Sequence, residues 1–390
     1  MAGQRCREAI SMLRIAHGRS STSRRSFRMT RPMKLLAACL AAAMAGTPMA
    51  AGAQVCATSD NVSTFAGGLN NPRGLKFGPD GNLYVAEGGT TEGDLRTVDI
   101  CPELQVPQVG PYTGGFTSSI ARIEPNGTLT RIVTDLPSSR TTDDTGAFVS
   151  GVADIAFIGD KLFGVMAGAG CSHAHVDSPN RVFAVSGGGL QTIADVGAYA
   201  LANPTANENP GDFEPEGTWY SLLAVRGSLY SVEPNHGEID RVSLDGTIQR
   251  IADVSAKYGH VVPTALAYDG NFYVGTLGTF ENGFRGMVIK VTPSGQMSTV
   301  VDGLTSITGL VVSGGSLYIL ENEGGFVAAP CAGRVLRVPR SGHLDKLDVV
   351  ATGLFFPTAM TLGPDGDLYV SNFGYGFGPG MGEIVRVDLP

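Results

Sequence analysis

Between residues 71 and 387 the chain repeats one rhythm of apolar and polar positions. A short apolar run is followed by a tight turn, and then by an aromatic residue that opens a stretch of alternation. The aromatics are Tyr84, Phe163, Tyr230, Tyr273, Tyr318 and Tyr369, spaced by 79, 67, 43, 45 and 51 residues. Each follows an apolar anchor, at Leu75, Ile155, Leu222, Leu266, Leu310 and Met360. Alternation with period two is the signature of strands. The dipeptides between anchor and aromatic, such as Asp80-Gly81, Asp269-Gly270, Gly314-Gly315 and Asp365-Gly366, tolerate the positive φ of hairpin turns.

A second hairpin follows each of these. Its leading members are "SIARIEPNG", "NRVFAVSGG", "GEIDRVSLDG", "GMVIKVTPSG", "GRVLRVPRSG" and "GEIVRVDLP". Only five return strands follow in sequence, for six hairpins. The sixth is "NVSTFAGGL" at 61–69, near the other end of the chain. Four strands per unit and six units predict an all-β fold, a six-bladed β-propeller in which the N-terminal strand completes the last blade and removes the open edges. Small residues in each first strand, at Gly74, Ala153, Ser221, Ala265, Gly309 and Ala359, suit strands crowded around a central axis. The long spacings of the first two units place extra residues in loops over 90–118, 137–150 and 198–217.

The phrases "LNNPRGLKFGPDGNLYVAEGG", "ANENPGDFEPEGTWYSLLAV", "YVGTL" and "FFPTAMTLGPDGDLYVSNFG" resemble the ScyD/ScyE family of secreted propellers, which is related more loosely to NHL-repeat propellers. The resemblance covers nearly all of residues 61–390. It implies an exported six-bladed propeller and brings no catalytic residues with it. The chain departs from the family's "DSNPY" phrase, with "DFEPEGTWYS" in its place.

Composition changes this picture in two ways. Nine basic residues and one acidic residue precede Gln54, so the remainder carries 19 basic against 35 acidic groups, a net charge of −16. Such a surface repels nucleic acid and anionic lipid. The stretch "MKLLAACLAAAMAGTPMAAGA" from Met33 to Ala53 has a basic start, a short apolar run and an A-x-A end, so residues 1–53 read as an export segment cleaved before Gln54. Either translation starts at Met33, or "SRRSFRM" upstream serves as a twin-arginine signal. Both routes predict a periplasmic or extracellular protein with no transmembrane anchor after processing, and a monomer is expected of the single propeller domain over 54–390.

In that oxidising setting Cys56, Cys101, Cys171 and Cys331 are an even set able to form two disulfides. Cys101 and Cys171 fall in equivalent loops of adjacent blades and are paired first, which leaves Cys56 with Cys331.

Candidate chemistry concentrates where the repeats stop agreeing. Three residues beyond each aromatic stand Glu87, Met166, Glu233, Thr276, Glu321 and Asn372, equivalent positions near one mouth. Arg73 and Asp154 lie at the starts of inner strands, and Asn235, His236, Asn322 and Glu323 lie just beyond the ring. The set can form a polar cup for a small polar ligand, or can tie strand ends to neighbouring amides. Glu87, Glu321 and Asn372, on three consecutive blades, could supply oxygen ligands to Ca²⁺. His173, His175 and Asp177 read as a solvated loop in the absence of a zinc pattern. The run "GYGFGPGMGE" at 374–383 reads as a flexible loop. No nucleophile elbow, P-loop, dinucleotide fingerprint or EF-hand is present.

Three functions remain open at this point. The first is a binding module for a small polar ligand or an extracytoplasmic protein. The second is a Ca²⁺-dependent lactonase of the gluconolactonase kind, for which Glu87, Asp154, Asn235 and Asn372 are the nominees. The third is quinone-dependent sugar oxidation, to which only His236, His260 and Arg73 could contribute.

Overall fold

A computed structural model describes residues 56–390 except 91, 101–111, 142–147, 188, 208–213, 280–281, 323–330 and 343. The export segment expected over 1–53, Cys101 and Glu323 lie outside the described residues. The fold is nearly all β, with six antiparallel sheets arranged as a propeller. Inner strands begin blades one to six at Pro72–Phe77, Val152–Ile158, Leu222–Val225, Pro263–Tyr268, Ile307–Ser313 and Ala359–Leu362. Each contacts the inner strand of the next blade, and the sixth contacts the first, so the ring is closed.

Closure is completed at the rim. Val62–Leu69 pairs antiparallel with Gly382–Val387, from Val62 opposite Val387 to Leu69 opposite Gly382. The last blade therefore borrows its outer strand from the chain's beginning, as the unpaired "NVSTFAGGL" predicted.

The apolar core is divided among the seams between blades. Phe163, Trp219 and Leu229 pack blade two on three, Val232, Val274 and Ile289 pack three on four, and Tyr273, Leu317 and Leu336 pack four on five. Leu320, Val335 and Val385 fill the seam of five and six, and Leu75, Val85 and Tyr369 that of six and one. The seam of one and two holds Ile120, Met166 and Phe183. The alternation along each strand has this purpose: successive side chains point to opposite faces, and both faces of a blade are covered by neighbours.

Near the axis, short polar side chains stitch blade to blade. Ser221 Oγ donates to Thr264 O at 2.6 Å, Thr264 Oγ1 to Ile307 O, Thr308 Oγ1 to Pro357 O at 2.9 Å, and Thr358 Oγ1 to Pro72 O at 2.6 Å. Asp154 accepts from Leu222 N at 2.8 Å and receives Lys76 Nζ at 3.5 Å, which joins blades one, two and three. Crowding explains the small residues expected here. A Cβ on Gly74 would stand 1.8 Å from Asp154 Oδ1 and 2.6 Å from its Cα, so only glycine fits. The residue just before the inner strand is left-handed in three blades, at Asn71, Val262 and Ser306, and in blade six a left-handed Phe356 stands three residues before it, so a strained approach to the axis recurs.

Blade one and the loop into blade three differ from the sequence reading. Thr113–Ile123 and Leu129–Arg140 are longer than their counterparts and carry the added strands Leu95–Arg96 and Val149–Ser150. Parts of the expected loops 90–118 and 137–150 are thus sheet. The 198–217 segment opens with a helix, Val196–Ala202, capped by Asp195 accepting from Ala198 N at 2.8 Å. Alanine-rich text with an N-cap aspartate favours that turn of helix even inside a loop.

Cys56 and Cys331 are bonded, with Cα atoms 5.4 Å apart. Cys171 is also in a disulfide; its expected partner, Cys101, lies outside the described residues. No described helix is long and apolar enough to cross a membrane.

Candidate functional site

In four blades the inner strand starts opposite the last residue of the second strand, and in blades three and six within two residues of it, and this defines the upper face of the propeller. The expected ring is there: Glu87, Met166, Glu233, Thr276, Glu321 and Asn372 each end a second strand. None exposes more than 3% of its surface. Four of them bind the backbone that leads into their own blade. Glu87 accepts from Asn70 N at 2.6 Å, Glu233 from Thr218 N at 2.7 Å, Glu321 from Thr305 N at 2.7 Å, and Asn372 Oδ1 from Phe355 N at 2.7 Å.

The remaining valences are taken by the same blade. Glu87 receives Arg131 Nε and Nη2, both at 2.8 Å, and Ser119 Oγ. Glu321 receives Arg334 Nε at 2.6 Å, and Asn372 Nδ2 donates to Glu383 at 2.9 Å. The three residues nominated for Ca²⁺ are therefore each engaged on their own blade. Among the described residues, no group of three or more His, Cys, Asp or Glu side chains is placed to hold a metal ion. Asn322, beyond the ring, donates from Nδ2 to Pro357 O at 3.3 Å.

Arg73 has a different environment. It begins the inner strand of blade one, is 5% exposed, and its Nη1 is buried without a hydrogen-bond partner among the described residues. Its guanidinium carbon lies 5.1 Å from the ring centre of Tyr220 and 5.6 Å from that of Tyr375. Two aromatic faces hold the cation in place, and no described carboxylate is within ion-pair distance of it. Burial raises the phenol pKa values of both tyrosines, against the lowering effect of the Arg73 charge. They stay neutral beside the guanidinium. Asp154, deeper along the inner strands, helps to line a central cavity of about 240 Å³ with Lys76 and Ser221, and burial pushes its carboxyl pKa up.

Beside Tyr375 is a second polar cluster centred on Glu214. Its carboxylate accepts from Tyr112 Oη at 3.0 Å, Asn235 Nδ2 at 2.7 Å and Thr218 Oγ1, and it lies 3.4 Å from His173 Nε2. Asn235 N and His236 N both donate to Glu233. Five sequence candidates thus separate into two places: Glu233, Asn235 and His236 under Glu214, and Arg73 with Asp154 at the axis.

His173 and His175 are not in a solvated loop. They are 0% and 4% exposed, with His173 Nδ1 at 2.5 Å from Ser139 Oγ and His175 Nε2 at 2.9 Å from Ser138 O. Both rings dock blade two's loop on the outer strand of blade one, a contact that local patterning cannot show. The order Ser139, His173, Glu214 has the composition of a hydrolase triad. Ser139 is 4% exposed and paired within its sheet, so this chain of groups acts as a seam between blades.

Sequence reasoning missed Glu214, Tyr220 and Tyr375. A signal for them existed: each lies in text that breaks the repeat, in "EPEGTWYS" or "GYGFGPG".

The chain matches no protein-family model, and no curated protein matches it in sequence. Solved structures share its fold. One is a gluconolactonase from Xanthomonas campestris, 10% identical, with 84% of this chain and 89% of that one covered and a TM-score of 0.51. Another is a Bacteroides thetaiotaomicron protein of unknown function, 12% identical, with 85% and 76% covered and a TM-score of 0.52. At such identities the likeness shows the fold alone, and nothing about activity.

Proposed function

We propose that the protein is an exported propeller of the ScyD/ScyE kind that binds a small anionic ligand at its upper mouth, with Arg73 as the anchor. The observation that carries this reading is the buried Nη1 of Arg73, which has no hydrogen-bond partner among the described residues. A buried N–H group that makes no hydrogen bond is costly, and a guanidinium fixed between two rings is preorganised to receive a carboxylate or similar anion. Export rests on the segment preceding Gln54, and two disulfide-bonded positions, Cys56–Cys331 and Cys171, are compatible with it. A protein partner docking on the same mouth is the alternative kind of ligand.

The test is calorimetric titration of the mature chain with small carboxylates and sugar acids, followed by Arg73→Gln. Saturable binding lost in the variant, with unchanged thermal stability in buffer, supports the reading. Stoichiometric Ca²⁺ together with lactone hydrolysis that survives Arg73→Gln would replace it with the lactonase reading.

A further inference from the structure

The loop over 373–381 follows the second strand of blade six, and the sequence suggests only flexibility there. The structure pins it. Asn71 Nδ2 donates to Phe377 O at 2.9 Å while Asn71 Oδ1 accepts from Phe377 N at 2.8 Å, and Gly380 N donates to Asn70 Oδ1 at 2.8 Å. Asn71 is wholly buried. At the loop's start, a Cβ on Gly374 would stand 2.4 Å from Pro72 O, so glycine alone lets the loop lie against the strand that carries Arg73.

What the pinned loop presents is aromatic. The Tyr375 ring is 4.0 Å from that of Phe148 and stacks at 6.2 Å, tilted by 10°, on Phe356. Phe377 lies 5.8 Å from Phe356 and 5.3 Å from Phe373. These five rings come from three separate segments, and each residue keeps part of its surface exposed. The same Tyr375 contacts the Arg73 guanidinium, so the aromatic shelf and the cation are continuous. No hydrogen bond from the Tyr375 hydroxyl to a described residue competes for it.

We infer that the ligand of this mouth is a planar aromatic carboxylate, its charged end on Arg73 and its ring system on the shelf formed by Tyr375, Phe356, Phe377 and Phe148. The inference rests on the anion-binding reading given above and narrows it. A sugar acid would place hydroxyls against half-buried phenyl faces that offer no hydrogen bond, and a bare aliphatic anion would leave the shelf uncovered. An aromatic body covers it and gains offset or edge contacts with rings already held in place. A neutral arene would leave Nη1 of Arg73 buried and unpaired.

Calorimetric titration of the mature chain with 2-naphthoate, acetate and 2-naphthylmethanol tests this. The expected result is that naphthoate binds at least about tenfold more tightly than either of the others. Phe377→Ala should weaken naphthoate about fivefold or more and leave acetate within about twofold, as one ring contact is removed. Phe148→Leu, on a different blade, provides the same comparison if Phe377→Ala does not fold. Equal affinities for naphthoate and acetate, both lost in Arg73→Gln, would overturn the aromatic assignment and leave the anion site standing. Binding of neither anion, or naphthoate binding that survives Arg73→Gln, would overturn both.

Discussion

The Tyr369 hydroxyl donates to Asp365 at 2.9 Å across the first hairpin of blade six, and Tyr84 makes the same 2.9 Å bond to Asp80 in blade one. The recurring "GPDGxLY" phrase is therefore a turn lock: the first glycine opens the turn, the aspartate stands third in it, the second glycine takes the left-handed position, and the tyrosine four residues after the aspartate bonds back to it. Burial, followed by the bond and charge of Asp365, pushes the Tyr369 phenol up to about 12. Tyr369→Phe should cost about 1 kcal/mol in urea unfolding, the net worth of one hydrogen bond. Asp365→Asn added to it should cost little more at that bond. A fully additive double variant would show that the two side chains act separately.

Glu87 and Arg131 make the corresponding lock on the upper face. The carboxylate is wholly buried while Arg131 is 31% exposed, so breaking the pair should cost less than for a fully enclosed one. Glu87→Ala is expected to destabilise by about 2–3 kcal/mol, because Asn70 N and Ser119 also lose their acceptor. Anion affinity at Arg73 should stay within about twofold of the parent. A drop of tenfold or more in a folded variant would return Glu87 to the binding site.

The fold was legible because it is a repeat. Leu75, Tyr84 and their counterparts recur at positions where neighbouring blades must bury them, and "NVSTFAGGL" was the only unused strand. The strand-end ring was also legible in place, since a second strand ends three residues beyond each aromatic. Its burial was not, because Glu87 and Glu321 are covered by linkers from adjoining parts of the chain. Arg73 could be named from its position, but its partners Tyr220 and Tyr375 come from blades three and six. Such convergence is set by ring closure, which local pattern does not encode.

The Cys56–Cys331 bond joins the segment leading to the closing strand to the upper loop of blade five, 275 residues away. It anchors Val62–Leu69, the strand whose pairing with Gly382–Val387 closes the propeller. The double variant Cys56→Ser, Cys331→Ser should lose about 2–4 kcal/mol. Amide exchange offers the sharper reading: protection should fall first in Val62–Leu69 and its partner Gly382–Val387. Uniform loss over all six blades would mean that the bond does not act on closure.

Glu233 sets a dependence on pH that runs against the usual direction for a carboxylate. Burial pushes its pKa from 4.5 up to about 7, outweighing the His236 charge and the amides of Thr218 and His236, which favour ionisation. Burial likewise raises Glu238, whose Arg250 partner opposes the shift, and holds Asp240 well above its ordinary value with Glu238 adding to it. Between pH 4.5 and about 7 the folded chain thus binds more protons than the unfolded one, so stability falls as pH rises through that window. The part due to Glu233 is at most about 3 kcal/mol. Asp302, lowered chiefly by Arg285, and Asp367, lowered chiefly by the Leu389 amide, act the other way, and only below about pH 4. Urea unfolding should accordingly be most resisted near about pH 5 and weaken steadily toward about pH 7.5. Glu233→Gln, whose side chain does not titrate, should flatten that decline even if it lowers stability at every pH; an unchanged slope would place the buried proton on the Glu238 and Asp240 pair instead.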